Sequence, residues 1–162
     1  MDSFVEYMIK KKPDTKAISL TILTIVIALF LFCIVFAYWE IMRYVSLVAW
    51  AVILWGSYSV ISSILEIEYE FIITNNCLDI DKIVAKKKRI RLRSFDIKNF
   101  DKITQNLEEP SDITEFYGSS HKSQNLYALT YTDAGKKHKI IMEINDDMKK
   151  AILKVLPGSE IR

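Results

Sequence analysis

Two cysteines, two histidines, three prolines and four glycines are all that the 162 residues hold of these types. Cys33 lies in an apolar run and Cys77 in a polar one, with no spacing pattern between them, so no disulfide framework is expected. His121 and His138 have no Cys, Ser or carboxylate at motif spacing, which leaves triads and metal clusters without candidates. Cys77 has no CxxC partner and no evident base beside it. The glycine-rich phosphate loop, the GxSxG elbow, HExxH, the dinucleotide fingerprint and zinc-finger spacing are all missing. The expectation is a chain with no catalytic residue, no metal and no cofactor.

Charge is the other absence. Ala17–Trp39 and Tyr44–Leu65 contain no Asp, Glu, Lys or Arg, and only Glu40, Ile41, Met42 and Arg43 separate them. At about 1.5 Å per residue, either run as a helix crosses a hydrocarbon core of roughly 30 Å. Burying both in a soluble core would take far more surrounding chain than is present. The expectation is an integral membrane protein whose four-residue link folds the runs into an antiparallel hairpin. Lys10, Lys11, Lys12 and Lys16 precede the first run as they would in a signal peptide, but the run is too long and ends in no small-x-small site. It reads as a retained anchor. Lysines before the first run, and Lys82 with Lys86–Arg93 after the second, place both ends in the cytoplasm of a multi-pass cell-membrane protein. With no ionisable residue inside either run, a channel, pump or proton relay has no candidate group. Residues 2–12 form either an interfacial helix, with Ser3 and Glu6 as its capping box, or a basic tail.

After Leu65 the apolar period shortens from helical to alternating, in enough chain for one small domain. Tyr69, Phe71 and Ile73 share one face of a first strand, and Asn75-Asn76 turn the chain. Leu78 and Ile80 alternate with Asp79 and Asp81 in a second strand. Ile90 and Leu92 alternate with Arg89, Arg91 and Arg93 in a third, and Phe95, Ile97, Phe100 and Ile103 continue into a fourth. Asn106–Gln124 is polar and reads as a long loop with a short strand near Phe116-Tyr117. Leu126–Thr132 and His138–Ile144 make a hairpin through a three-residue Asp133-Ala134-Gly135 turn. A last helix, capped by Asn145 or Asp146, places Met148, Ala151, Ile152 and Val155 on one face and stops at Pro157-Gly158.

The stretch Tyr69–Leu78, then Lys87-Lys88-Arg89-Ile90, Leu92 and Phe95-Asp96-Ile97, resembles the opening of bacterial PH-like membrane-anchored domains. The whole chain is also similar to small two-helix membrane proteins from clostridia. The resemblance covers about residues 17–156 and departs from the pattern in lacking a glycine-rich turn after the fourth strand. It implies an α+β membrane protein: a transmembrane helical hairpin, then a PH-like antiparallel β-roll closed by a C-terminal helix. The divisions would be 1–16, the hairpin at 17–65 and a cytoplasmic domain at 66–162.

Lys86, Lys87, Lys88, Arg89, Arg91 and Arg93 place six positive charges in eight residues. Near an anionic leaflet each contributes about 1 kcal/mol, so the segment is a candidate contact for lipid head groups or an acidic partner. It is equally the solvated face of a strand that helps to set topology. Net charge is only +2 and the segment has no interleaved aromatics, so nucleic acid is not an expected partner. Asp79 and Asp81 could hold a cation or simply face water. The expected role is a non-enzymatic interaction module. Its rivals are an accessory subunit of a membrane complex or homo-oligomer, with Gly56/Ser59/Ser63 and Tyr127/Leu129/Tyr131 as contacts, and an enzyme whose site appears only in three dimensions.

Overall fold

Residues 4–40 and 43–156 are described by a computed structural model, in two compact units. One holds Lys12–Ile67 with Val84–Lys87; the other holds both β-sheets and the C-terminal helix.

The chain opens with a strand, β1 (Phe4–Lys10), and not with the interfacial helix expected for residues 2–12. Val5, Tyr7 and Ile9 alternate with Phe4, Glu6, Met8 and Lys10, and Ile9 is buried. β1 pairs antiparallel with β2 (Ile67–Thr74), Phe4 opposite Thr74 and Lys10 opposite Glu68. The strand wins because β2 satisfies its backbone groups, while one face joins an apolar core that a surface helix would not reach. Ser3, of the expected capping box, lies outside the described residues.

Between β1 and β2 come both apolar helices, α1 (Thr15–Ala37) and α2 (Arg43–Leu65). Asp14 sets the start of α1, its carboxylate accepting the Ala17 N–H at 2.8 Å. Both are long and apolar enough to cross a membrane, with mean hydropathies of 3.0 and 1.7. The helices meet through aromatic rings: Trp50 stacks on Phe32 at 4.9 Å and on Trp39 at 5.0 Å. Hydroxyls within them turn back to their own backbone, Thr24 to Leu20 O at 2.9 Å and Ser57 to Ile53 O at 2.7 Å. This satisfies those hydroxyls without water. Ile41 and Met42 of the link lie outside the described residues.

The first sheet has the order β1-β2-β3-β4, with β3 at Cys77–Val84 and β4 at Lys88–Asp96. Asn75 takes the positive φ, 56°, expected in the β2–β3 turn. The fourth strand expected through Ile103 is interrupted. Asp96 accepts the Lys98 N–H at 3.0 Å and starts a 3₁₀ turn, Ile97–Asn99, after which β5 is only Lys102–Thr104. The second sheet has the order β5-β7-β8-β6, with β6 at Ile113–Tyr117, β7 at Leu126–Asp133 and β8 at Lys136–Glu143. β6 runs parallel to β8, so this sheet is mixed and not antiparallel throughout. Buried Lys139 ties down the loop before β6, donating to Leu107 O at 2.9 Å and Glu109 O at 2.8 Å. The β7–β8 turn has two residues, not three: Asp133 faces Lys136 across Ala134 and Gly135, whose φ angles are 48° and 77°.

The core lies between the sheets. Phe71 and Ile73 of β2, Leu78 and Ile80 of β3 and Ile140 and Met142 of β8 are buried there. Each such side chain contributes about 1.5–3 kcal/mol by leaving water. Helix α3 (Asp146–Val155) is capped by the Asn145 side chain, which accepts the Met148 N–H at 2.9 Å. It buries Met148 and Ile152 and packs on β1 and the 3₁₀ turn. Pro157-Gly158 lies outside the described residues. The fold is the one expected: two apolar helices with a β-roll and a closing helix, except that one strand of the roll precedes the helices.

Candidate functional site

The six basic residues separate into two groups. Arg89, Arg91 and Arg93 alternate along β4, an edge strand of the first sheet, and each meets one or more carboxylates on other strands. Arg89 pairs with Glu70 of β2 and, at 3.3 Å, with Asp81 of β3. Arg91 lies 3.3 Å from Asp79 and 3.6 Å from Asp81. Glu70 and Asp81 are only 2% and 4% exposed, so their charges need the arginines. Asp79 and Asp81 are thus ion-pair partners of the β4 arginines. Arg93 reaches β6 and grips Glu115 with two hydrogen bonds, Nε to Oε2 at 3.2 Å and Nη2 to Oε1 at 2.5 Å.

Tyr117 donates to the same Glu115 carboxylate at 2.6 Å. The Arg93 hydrogen bonds, helped by Tyr117, hold Glu115 below the usual carboxylate range although burial opposes this. Burial and the bond to Glu115 push the Tyr117 phenol well above the ordinary tyrosine value. The bond to Glu115 likewise raises the Arg93 guanidinium. These three side chains form one hydrogen-bonded charge system in which Glu115 answers the charge of Arg93.

The lysines are different. Lys86, Lys87 and Lys88 are exposed and make no ion pair among the described residues. The β3–β4 turn holds Ala85 and Lys86 at φ angles of 52° and 54°, with the Lys87 N–H donating to Val84 O at 3.1 Å. The Ala85 N–H donates to Glu66 O at 2.8 Å, and Glu66 directly follows α2. The turn carrying Lys86 and Lys87 is therefore fastened to the carboxyl end of α2. Sequence reasoning grouped all six cations because it sees spacing but not the strand register that assigns partners.

The other candidate contacts fare unevenly. Tyr127 and Leu129 are 6% and 0% exposed, in the core and unavailable to a partner. Tyr131 is partly exposed and lines a groove beside β4. On α2 a Cβ at Gly56 would meet nothing within 4 Å, while the Ser63 hydroxyl bonds Ser59 O at 2.8 Å. His121 stacks on Phe116 at 3.9 Å and His138 on Tyr131 at 4.8 Å. No cluster of metal-ligating side chains occurs among the described residues.

Compared with known families, residues 1–161 match a family model described as a bacterial PH-like domain (DUF6106). No curated protein and no solved structure matches the chain.

Proposed function

The chain belongs to the bacterial PH-like domain family, and from that premise we propose a non-enzymatic interaction module anchored in the cell membrane by two spans. Its work is placement. The linkers that join the helices to the first sheet are short, Lys11–Asp14 on one side and Glu66 alone on the other, so the β-roll is tethered at two points. Because β1 and β2 pair although the helices lie between them in the chain, both ends of the hairpin emerge on one side. Lys10, Lys11, Lys12 and Lys16 favour the cytoplasm for that side.

One observation carries the lipid-contact part of this reading. The hydrogen bond from Ala85 to Glu66 holds Lys86 and Lys87 at the end of α2, the level of the head groups, with no ion-pair partner among the described residues. At about 1 kcal/mol for each cation, a few lysines favour anionic over zwitterionic lipid by tenfold or more. The arginines of β4 contribute nothing to this, since carboxylates of the same domain already answer them. The test is lipid retention by the full chain extracted from membranes containing both lipid classes, read by native mass spectrometry. Lys86→Ala, Lys87→Ala and Lys88→Ala together are expected to lower anionic lipid retention about tenfold. Unchanged lipid composition in that triple variant refutes the contact.

A further inference from the structure

A groove of 640 Å³ opens where the ends of β4 and β7 approach one another. Its floor is aromatic: Phe95 lies 5.5 Å from Phe100 and 5.4 Å from Tyr131, and Phe100 lies 5.8 Å from Tyr131. Its rim is polar, with Asp96 and Asp133 supplying the negative charge. Arg93 also lines the groove, but its guanidinium is held by Glu115. Asp96 accepts only the backbone N–H of Lys98, and neither Asp96 nor Asp133 makes an ion pair among the described residues. Two carboxylates therefore line an aromatic groove without an ion-pair partner among the described residues. Burial raises the Tyr131 phenol and the charges of Glu115 and Asp133 raise it further, while Arg93 opposes them.

A positive side chain complements both parts of this surface, by Coulomb attraction at the rim and by cation–π attraction at the floor. A single ammonium ion would fill little of 640 Å³, whereas a short stretch of peptide matches it. We propose that the groove binds an extended segment of a partner protein through a lysine or arginine side chain placed between Asp96, Asp133 and the Phe95/Tyr131 rings. This deepens the interaction-module reading by naming the partner chemistry. It uses none of the three free lysines, so it fails or survives apart from the lipid contact.

The experiment pans a random octapeptide display library against the full chain in nanodiscs of zwitterionic lipid, with empty nanodiscs subtracted. Peptides rich in Lys or Arg are expected to be enriched. Asp96→Asn with Asp133→Asn should weaken their binding at least tenfold. Asparagine still caps the 3₁₀ turn, so the double variant removes charge and keeps the fold, which its melting temperature checks. Replacing each Arg of an enriched peptide by neutral citrulline should cost a similar factor. No enrichment over empty nanodiscs, enrichment without excess basic residues, or binding indifferent to the double variant overturns the proposal. Binding of spermidine alone, with no peptide enriched, overturns it as well.

Discussion

The Ala85 N–H and the Glu66 carbonyl are 2.8 Å apart, and that hydrogen bond fixes where the β3–β4 turn sits on the end of α2. The turn needs two consecutive left-handed residues and receives Ala85 and Lys86, neither of which favours that region. Lys86→Gly should relieve one of the two strained positions and stabilise the protein by about 1 kcal/mol. A higher melting temperature for the full chain in detergent is the expected reading, and a lower one contradicts this account of the turn.

The division of the basic segment predicts unequal stability effects from neighbouring cations. Arg89→Ala removes the counter-charge of buried Glu70 and Asp81 and should destabilise by about 1–3 kcal/mol, the half-exposed guanidinium keeping the cost below that of a fully buried pair. Lys87→Ala, with no ion pair to lose, should fall within about 0.5 kcal/mol of the parent. Denaturant midpoints of the two variants measure the contrast, and equal midpoints would contradict it.

Glu115 gives a pH test with a defined sign. Its folded-state pKa is depressed, so its stabilising contribution is present above the unfolded glutamate value near 4.5 and disappears as pH falls through the lower folded value. Glu109, depressed by its hydrogen bond to Lys102 against a smaller opposing effect of burial, adds loss of the same sign. Melting temperatures taken from neutral pH to below 4 should fall more shallowly for Glu115→Gln than for the parent. Parallel curves would show that the Arg93 pair does not couple to folding.

Because Lys10 and Glu68 sit opposite each other in register, their strand ends are close enough for a tight turn to join them. A chain in which residues 12–66 are replaced by a short Asn-Gly linker is expected to be soluble without detergent and to melt cooperatively. The same chain beginning at residue 68 lacks β1, exposes the edge of β2 and should melt at lower temperature or aggregate. Circular dichroism and light scattering distinguish these outcomes.

What could be read in advance followed from local periodicity. The two helices announce themselves by length and lack of charge. The Leu78/Ile80 and Ile90/Leu92 alternations give β3 and β4, and Asn145 marks α3. β1 was hidden because Phe4 and Met8 put apolar residues on both faces of a seven-residue stretch, and because its partner lies beyond both helices. The parallel setting of β6 was hidden for a related reason: Ile113–Tyr117 reaches β8 through a loop that Lys102, Lys137 and buried Lys139 hold in place. The division of the basic segment lay deeper still. Arg89 and Arg91 look like any solvated strand face until the folded sheet brings Asp81, Asp79 and Glu70 within ion-pair reach. A groove formed from Asp96 and Asp133, residues far apart in the chain, leaves no signature in either neighbourhood.

The position of β1 also dictates an order of assembly. The ribosome makes it first, yet its docking site exists only after more than fifty further residues have appeared and the helices have entered lipid. Inserting only one of the two helices would leave β1 across the bilayer from the rest of the roll. An insertion error thus becomes a folding failure, visible to quality-control proteases as an unfinished sheet.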